Sequence, residues 1–135
     1  TLWIGTPGSG IHRIISKYLN DEAPRFDKFT TREGLKSNSV NDILEDKEGS
    51  LWIGLNRGGL NRLKDGKFTN FTALEGLTDD VTNCVYEDRT GGIWIGTQNG
   101  GISFFNNGKF TNYNKDNGLS SNYIRSIIQD RQGDI

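Results

Sequence analysis

One short run of residues, repeated, limits what this chain can become more than any other feature. Leu2-Trp3-Ile4-Gly5 returns as Leu51-Trp52-Ile53-Gly54 and again as Ile93-Trp94-Ile95-Gly96. The tryptophans lie 49 and 42 positions apart (52 − 3 and 94 − 52). Around them the same landmarks recur in register. A glycine follows each Trp by seven positions, at Gly10, Gly59 and Gly101. A Gly-Leu pair comes next, at Gly34-Leu35, Gly76-Leu77 and Gly118-Leu119. Twelve positions past the glycine of each pair stands Asp46, Asp88 or Asp130, and fifteen past it Gly49, Gly91 or Gly133. A unit of about 42 residues cannot bury its apolar face alone, so its copies must stack and share a core.

Each period divides into four short strands. The first covers Val40 to Asp46, with equivalents at Thr82 to Asp88 and Ile124 to Asp130. The Leu-Trp-Ile-Gly run is the second; it is apolar without alternation, as a strand covered on both faces should be. Leu60 to Leu63 and Ile102 to Phe105 form the third, Lys67 to Thr72 and Lys109 to Tyr113 the fourth. Asp46-Lys47-Glu48-Gly49 and its copies read as hairpin turns, with Gly where φ is positive. Lys64-Asp65-Gly66 and Asn106-Asn107-Gly108 carry the same signal. No helical period is visible. The predicted fold is therefore all-β: a β-propeller of three four-stranded blades, forming part of a larger ring. A repeating sandwich or a solenoid is the alternative. The repeats run at about 1–34, 35–76 and 77–118, and 119–135 holds the first strand of a further blade. The first repeat is seven residues longer, which places an insertion in a surface turn around Lys17 to Arg25.

Three blades fall short of the four to eight that usually close a ring. The chain opens at a second strand, ends with a first strand, and stops one residue before a fourth Trp is due. That arrangement suits closure by strand exchange, with the remaining blades of a larger propeller or with a second copy of the chain. It starts at Thr1 without a Met, so both natural ends are expected to be missing.

The string from Ser37 to Gly54, Ser-Asn-Ser-Val-Asn-Asp-Ile-Leu-Glu-Asp-Lys-Glu-Gly-Ser-Leu-Trp-Ile-Gly, resembles the two-component regulator propeller repeat, as does Gly58 to Phe71. The resemblance covers nearly the whole chain outside the insertion. It implies the periplasmic or extracytoplasmic sensor of a membrane-bound signalling protein, often a hybrid histidine kinase and sometimes a diguanylate cyclase. It further implies that the sensor takes up an oligosaccharide and signals inward through dimerisation. The transmembrane helix, linking β-sandwich and catalytic module of such proteins are not in this sequence. Two departures affect local turns: Leu55 stands where Thr6 and Thr97 stand, and Asp80 where Asn38 and Asn122 stand.

Composition narrows the function classes. Sixteen basic and 17 acidic residues give a net charge of −1, with no basic stripe for nucleic acid. No apolar run reaches the ~18 residues of a membrane span, so no membrane contact is expected of this segment. One cysteine, Cys84, excludes an internal disulfide framework and leaves the compartment open. No cluster has metal-ligand spacing, and no cofactor is expected.

The remaining candidates divide by whether they repeat. Glu45-Asp46 and Glu87-Asp88 resemble acid/base pairs, but their recurrence marks a turn-forming Asp. The three Trp residues could stack on sugars, yet their repetition assigns them to the blade core. Gly8-Ser9-Gly10 and Arg57-Gly58-Gly59 lie between strands, so they are turns and not phosphate loops. His12 has equivalents Asn61 and Ser103, which suggests a surface position. Cys84 lacks an activating neighbour and reads as a passive thiol. Asn70-Phe71-Thr72 matches a glycosylation acceptor but belongs to a strand. The variable loops hold the candidate ligand-binding residues: Arg57, Gln98 and Asn99 after the Trp strands, and Asn38, Asp80 and Asn122 before the first strands. Their amides and charges suit a polar small molecule or an oligosaccharide. The preferred reading is a non-catalytic ligand-sensing segment. A passive interaction scaffold comes second, and a propeller lyase, which needs a histidine base and a divalent ion, comes last.

Overall fold

A computed structural model describes residues 1–15 and 24–135. Eleven strands fall in three antiparallel sheets among these residues. The first sheet has β1 (Leu2–Thr6), β2 (Gly10–Ile14) and β3 (Phe26–Phe29) in the order β1-β2-β3. The second has β4 (Val40–Glu45), β5 (Leu51–Leu55), β6 (Leu60–Lys64) and β7 (Lys67–Phe71) in chain order. The third repeats it with β8 (Thr82–Glu87), β9 (Ile93–Thr97), β10 (Ile102–Asn106) and β11 (Lys109–Tyr113). The sheets meet through β1, β4, β5 and β8, so they converge at the inner edge and fan outward. This is the blade arrangement of a propeller.

Turn chemistry sets the hairpins. Asp65 (φ 49°) with Gly66 (φ 74°), and Asn107 (φ 49°) with Gly108 (φ 77°), are two-residue turns with both φ positive. Such turns match the right-handed strand twist, and Asp-Gly and Asn-Gly tolerate them best. The inner turns are fastened by the repeated aspartate. Asp46 accepts the backbone N–H of Glu48 and Ser50 and the Trp52 indole N–H at 2.7 Å. Asp88 accepts from Thr90, Gly92 and the Trp94 indole at 2.8 Å. Asp130 accepts from Gly133 and Asp134. The repeated acid is thus a turn residue that also holds the Trp.

The cores lie between blades. Ile11, Leu35, Val40, Leu51, Ile53, Leu55 and Leu63 form one, bordered by Trp3 and Phe29. Trp52, Leu60, Leu77, Val85, Ile93 and Ile95 form the next, bordered by Phe71, Phe105 and Phe110. Strand β5 is buried along its whole length, as its unalternating sequence requires. The glycine ending each Trp motif permits this stacking. A Cβ on Gly54 would stand 2.7 Å from Cγ2 of Thr82 on the next blade.

Three expectations are modified. The connectors at Ala73–Glu75 and Lys115–Asn117 are single 3₁₀ turns, each closed by a reciprocal capping box. Residues 124–130, expected as the first strand of a further blade, form no ladder, because no described segment pairs with them; Ile124 is fixed by its N–H to Thr97 O at 2.9 Å. His12 is half-buried, and its equivalents Asn61 and Ser103 are fully buried, not superficial. Asn61 Oδ1 accepts Lys36 N–H and Ser103 Oγ accepts Thr78 N–H, so this position anchors a connector. Of the expected insertion, residues 17–23 lie outside the described residues.

Candidate functional site

Strand direction sorts the loops onto two faces. The hairpin turns at Asp46–Ser50, Asp65–Gly66 and Asp88–Gly92 lie at one end of the strands. The β5–β6 and β9–β10 loops and the connectors lie at the other. All six loop candidates therefore share one face.

They do different things there. Asn38 Oδ1 accepts Thr31 N–H at 2.8 Å, Asp80 Oδ1 accepts Ala73 N–H at 3.1 Å, and Asn122 Oδ1 accepts Lys115 N–H at 2.8 Å. Their backbone carbonyls accept from the neighbouring blade's loop: Gly8 and Gly10 on Asn38, Gly58 and Gly59 on Asp80, Gly101 on Asn122. These three residues hold each connector against the preceding blade. Arg57, Gln98 and Asn99 are exposed. Arg57 has φ 59°, because its loop differs from the other two. Thr6 and Thr97 staple their loops by donating from Oγ1 to the carbonyls of Gly10 and Gly101, each at 2.8 Å. Leu55 replaces that hydroxyl with a fully buried side chain, and the β5–β6 loop takes another path.

The loop face also contains residues that loop variability alone does not reveal. A polar cleft of about 280 Å³ is lined by Asn41, Asn56, Val81, Asn83, Gln98, Tyr123 and Arg125. Only three repeat positions build it. Asn41, Asn83 and Arg125 are equivalents, as are Asn56 and Gln98, and Val81 and Tyr123. The ladders of β4 and β8 shift register between Val40 and Asp42 and between Thr82 and Cys84, so Asn41 and Asn83 are the bulge residues. A bulge re-aims its side chain. Here Asn41 Nδ2 donates to Thr82 O at 2.9 Å, and Asn83 Nδ2 to Ile124 O at 3.0 Å. Each spends one donor on the next blade, which leaves its carbonyl oxygen beside the cleft. At the third copy, Arg125 supplies an exposed cation next to exposed Tyr123. The arrangement offers amide donors and acceptors, one phenol and one guanidinium, which suits a hydroxyl-bearing ligand with an acceptor-rich edge.

Other reactive groups are accounted for by packing. Burial pushes the Cys84 thiol up to about 11, so it is inert at neutral pH. Among the described residues no three His, Cys, Asp or Glu side chains are grouped to hold a metal. Among them, too, no helix is long and apolar enough to cross a membrane.

Residues 34–57 and 76–99 match the family described as two component regulator propeller. No curated protein matches the chain. Two solved structures of the extracellular domain of BT4673 from B. thetaiotaomicron, described as a one component system in one and a hybrid two component system in the other, share 27% identity with it, at TM-scores of 0.71 and 0.76. Each alignment covers 97% of this chain, which spans 20% of the length of the solved one. PorZ, a surface component of the type-IX secretion system of Porphyromonas gingivalis, aligns over 93% of this chain and 20% of its own, with 16% identity and a TM-score of 0.70. At that identity the likeness is one of fold alone.

Proposed function

We propose that this chain, whose residues 34–57 and 76–99 are two-component regulator propeller repeats, is a non-catalytic ligand-sensing segment of an extracytoplasmic signalling domain, and that its ligand is a polar molecule such as an oligosaccharide. The observation that carries this reading is the inner cleft. Its strand framework repeats from blade to blade, while the side chains at its three repeat positions change between amide, aliphatic, phenol and guanidinium. Variation of polar side chains around one concave surface on a rigid scaffold is what ligand selectivity requires. Gln98 and Arg125 make the direct contacts, with Arg57 and Asn99 at the rim. The remaining blades, or a second copy of the chain, complete the wall around it. The extracellular setting of the BT4673 domains supports a periplasmic or extracellular location.

Calorimetry of the full chain against a panel of neutral and acidic oligosaccharides tests this. Losing one neutral hydrogen bond costs about 0.5–1.5 kcal/mol, and more where a charge is involved. Gln98→Ala, Arg125→Ala and Arg57→Ala should each weaken a bound glycan several-fold without lowering the melting temperature. A glycan whose affinity is untouched by all three would move the site elsewhere.

A further inference from the structure

We propose a second binding site, in the cleft between the second and third blades, that takes an organic monocarboxylate with an apolar ring face and holds it at Arg62. It is independent of the inner cleft and opens on the hairpin-turn face, at the other end of the strands. The cleft measures about 620 Å³, within the range of small-molecule sites.

The motivation is a mismatch between equivalent positions. On the first blade Arg13 faces Asp27 across the β2–β3 ladder and forms an ion pair with it. The Arg13 guanidinium also lies over Trp3 at 5.5 Å and Phe29 at 5.7 Å. Arg62 repeats this placement on the second blade, over Trp52 at 5.3 Å and Phe71 at 5.9 Å. Across its ladder, however, stands Thr69. On the third blade the whole device is gone: Phe104 faces Thr111. Arg62 thus keeps the cation and lacks the acid. Its Nε is buried with no hydrogen-bond partner, and among the described residues no carboxylate lies within ion-pair distance of it. A half-buried guanidinium is costly to leave without an acceptor, and stacking on rings offsets only part of that cost.

The other charges around the cleft are engaged. Asp46 holds the Trp52 indole, Glu87 accepts Lys47 N–H, and Glu48 pairs with Lys64 at 3.2 Å. Lys47 and Arg89 donate to carbonyls of the following blade. A carboxylate matches the fork of the free guanidinium better than any neutral group. The half-buried rings of Phe71 and Phe105 border the cleft and favour a ligand with an apolar face beside its charge. Glu48 and Glu87 also line the cleft, while its other two cations, Lys47 and Arg89, are spent on backbone carbonyls, so a second negative charge is disfavoured and a single carboxylate fits best.

Titration of the full chain with D-glucuronate and with phenylacetate, followed through the three tryptophan indole N–H signals by NMR, tests the assignment. At least one of the two carboxylates should move the Trp52 signal saturably at millimolar concentration, while D-glucose and chloride leave it in place. Response to glucuronate identifies an acidic sugar as the occupant, and response to phenylacetate an aromatic acid. Thr69→Asp restores the internal counter-ion that Arg13 enjoys, so it should weaken binding at least about tenfold in a folded protein, as should Arg62→Gln. Gln98→Ala should leave the Trp52 response unchanged, which separates this site from the inner cleft. The proposal is overturned if neither carboxylate moves the Trp52 signal, if binding persists in Thr69→Asp, or if Gln98→Ala abolishes it.

Discussion

Asp46 and Asp88 each fix both a turn and the indole of the Trp that follows it. Asp88 is almost wholly buried. Burial alone would raise its carboxyl, but hydrogen bonds from Thr90, the Trp94 indole and the Gly92 and Thr90 N–H groups outweigh this and hold it below its ordinary value. A depressed folded-state value contributes stability that is present above the unfolded value of about 3.9 and is lost as pH falls through the folded one. The Trp94 indole N–H signal should therefore move only below about pH 4, as its acceptor protonates. The same titration in Asp88→Asn should show no such step; a Trp94 signal that stays flat in the native protein down to unfolding would refute the link. Trp52, 2% exposed, is packed by Phe71 and by Phe105 of the next blade, with centroids at 5.8 and 5.4 Å. Trp52→Ala should cost about 3–5 kcal/mol in chemical denaturation. A loss under about 1 kcal/mol would mean that the ring is not a core residue.

At the scale of the element, strands and hairpins were legible because their signals are local. The bounds read for β4, β5, β6 and β7 agree with the observed ones to within a residue or so, since each is bounded on at least one side by a Gly or Asp turn that admits few conformations. The 3₁₀ connectors were missed because three residues are too short to show a period. Their signature was nevertheless present: Thr72 with Glu75 and Asn114 with Asn117 are capping pairs, and Thr30 with Glu33 stands at the same repeat position in the first connector. The Thr partner lowers the carboxyl of both glutamates. Of the inner cleft, Gln98 could be read from loop variability. Asn41, Asn83 and Arg125 could not, because a bulge is a relation between two strands and neither sequence declares it. The change from Asn to Arg at one repeat position was the available clue. The lone cation at Arg62 was hidden for a similar reason: its missing partner is visible only once the register sets Thr69 where Asp27 stands on the first blade.

At the scale of the whole molecule, stability belongs to the interfaces and not to the sheets. The central blade has a core on each side, whereas Leu2 on β1 is 59% and Ile128 is 73% exposed. Native-state hydrogen exchange should accordingly be slowest for β5 amides and fastest for β1 and residues 124–130. Uniform protection across the three sheets would contradict a core divided between blades. Four of the side-chain bonds that join the blades recur at one spacing. Asn41 reaches Thr82 and Asn83 reaches Ile124; Lys47 reaches Asp88 and Arg89 reaches Asp130. Each unit thus reaches the following one through donors at the same two repeat positions. A gene that duplicates one such unit by unequal crossing-over inserts a blade whose front and back already fit its neighbours, so a ring of this kind can lengthen in evolution without first inventing a new contact.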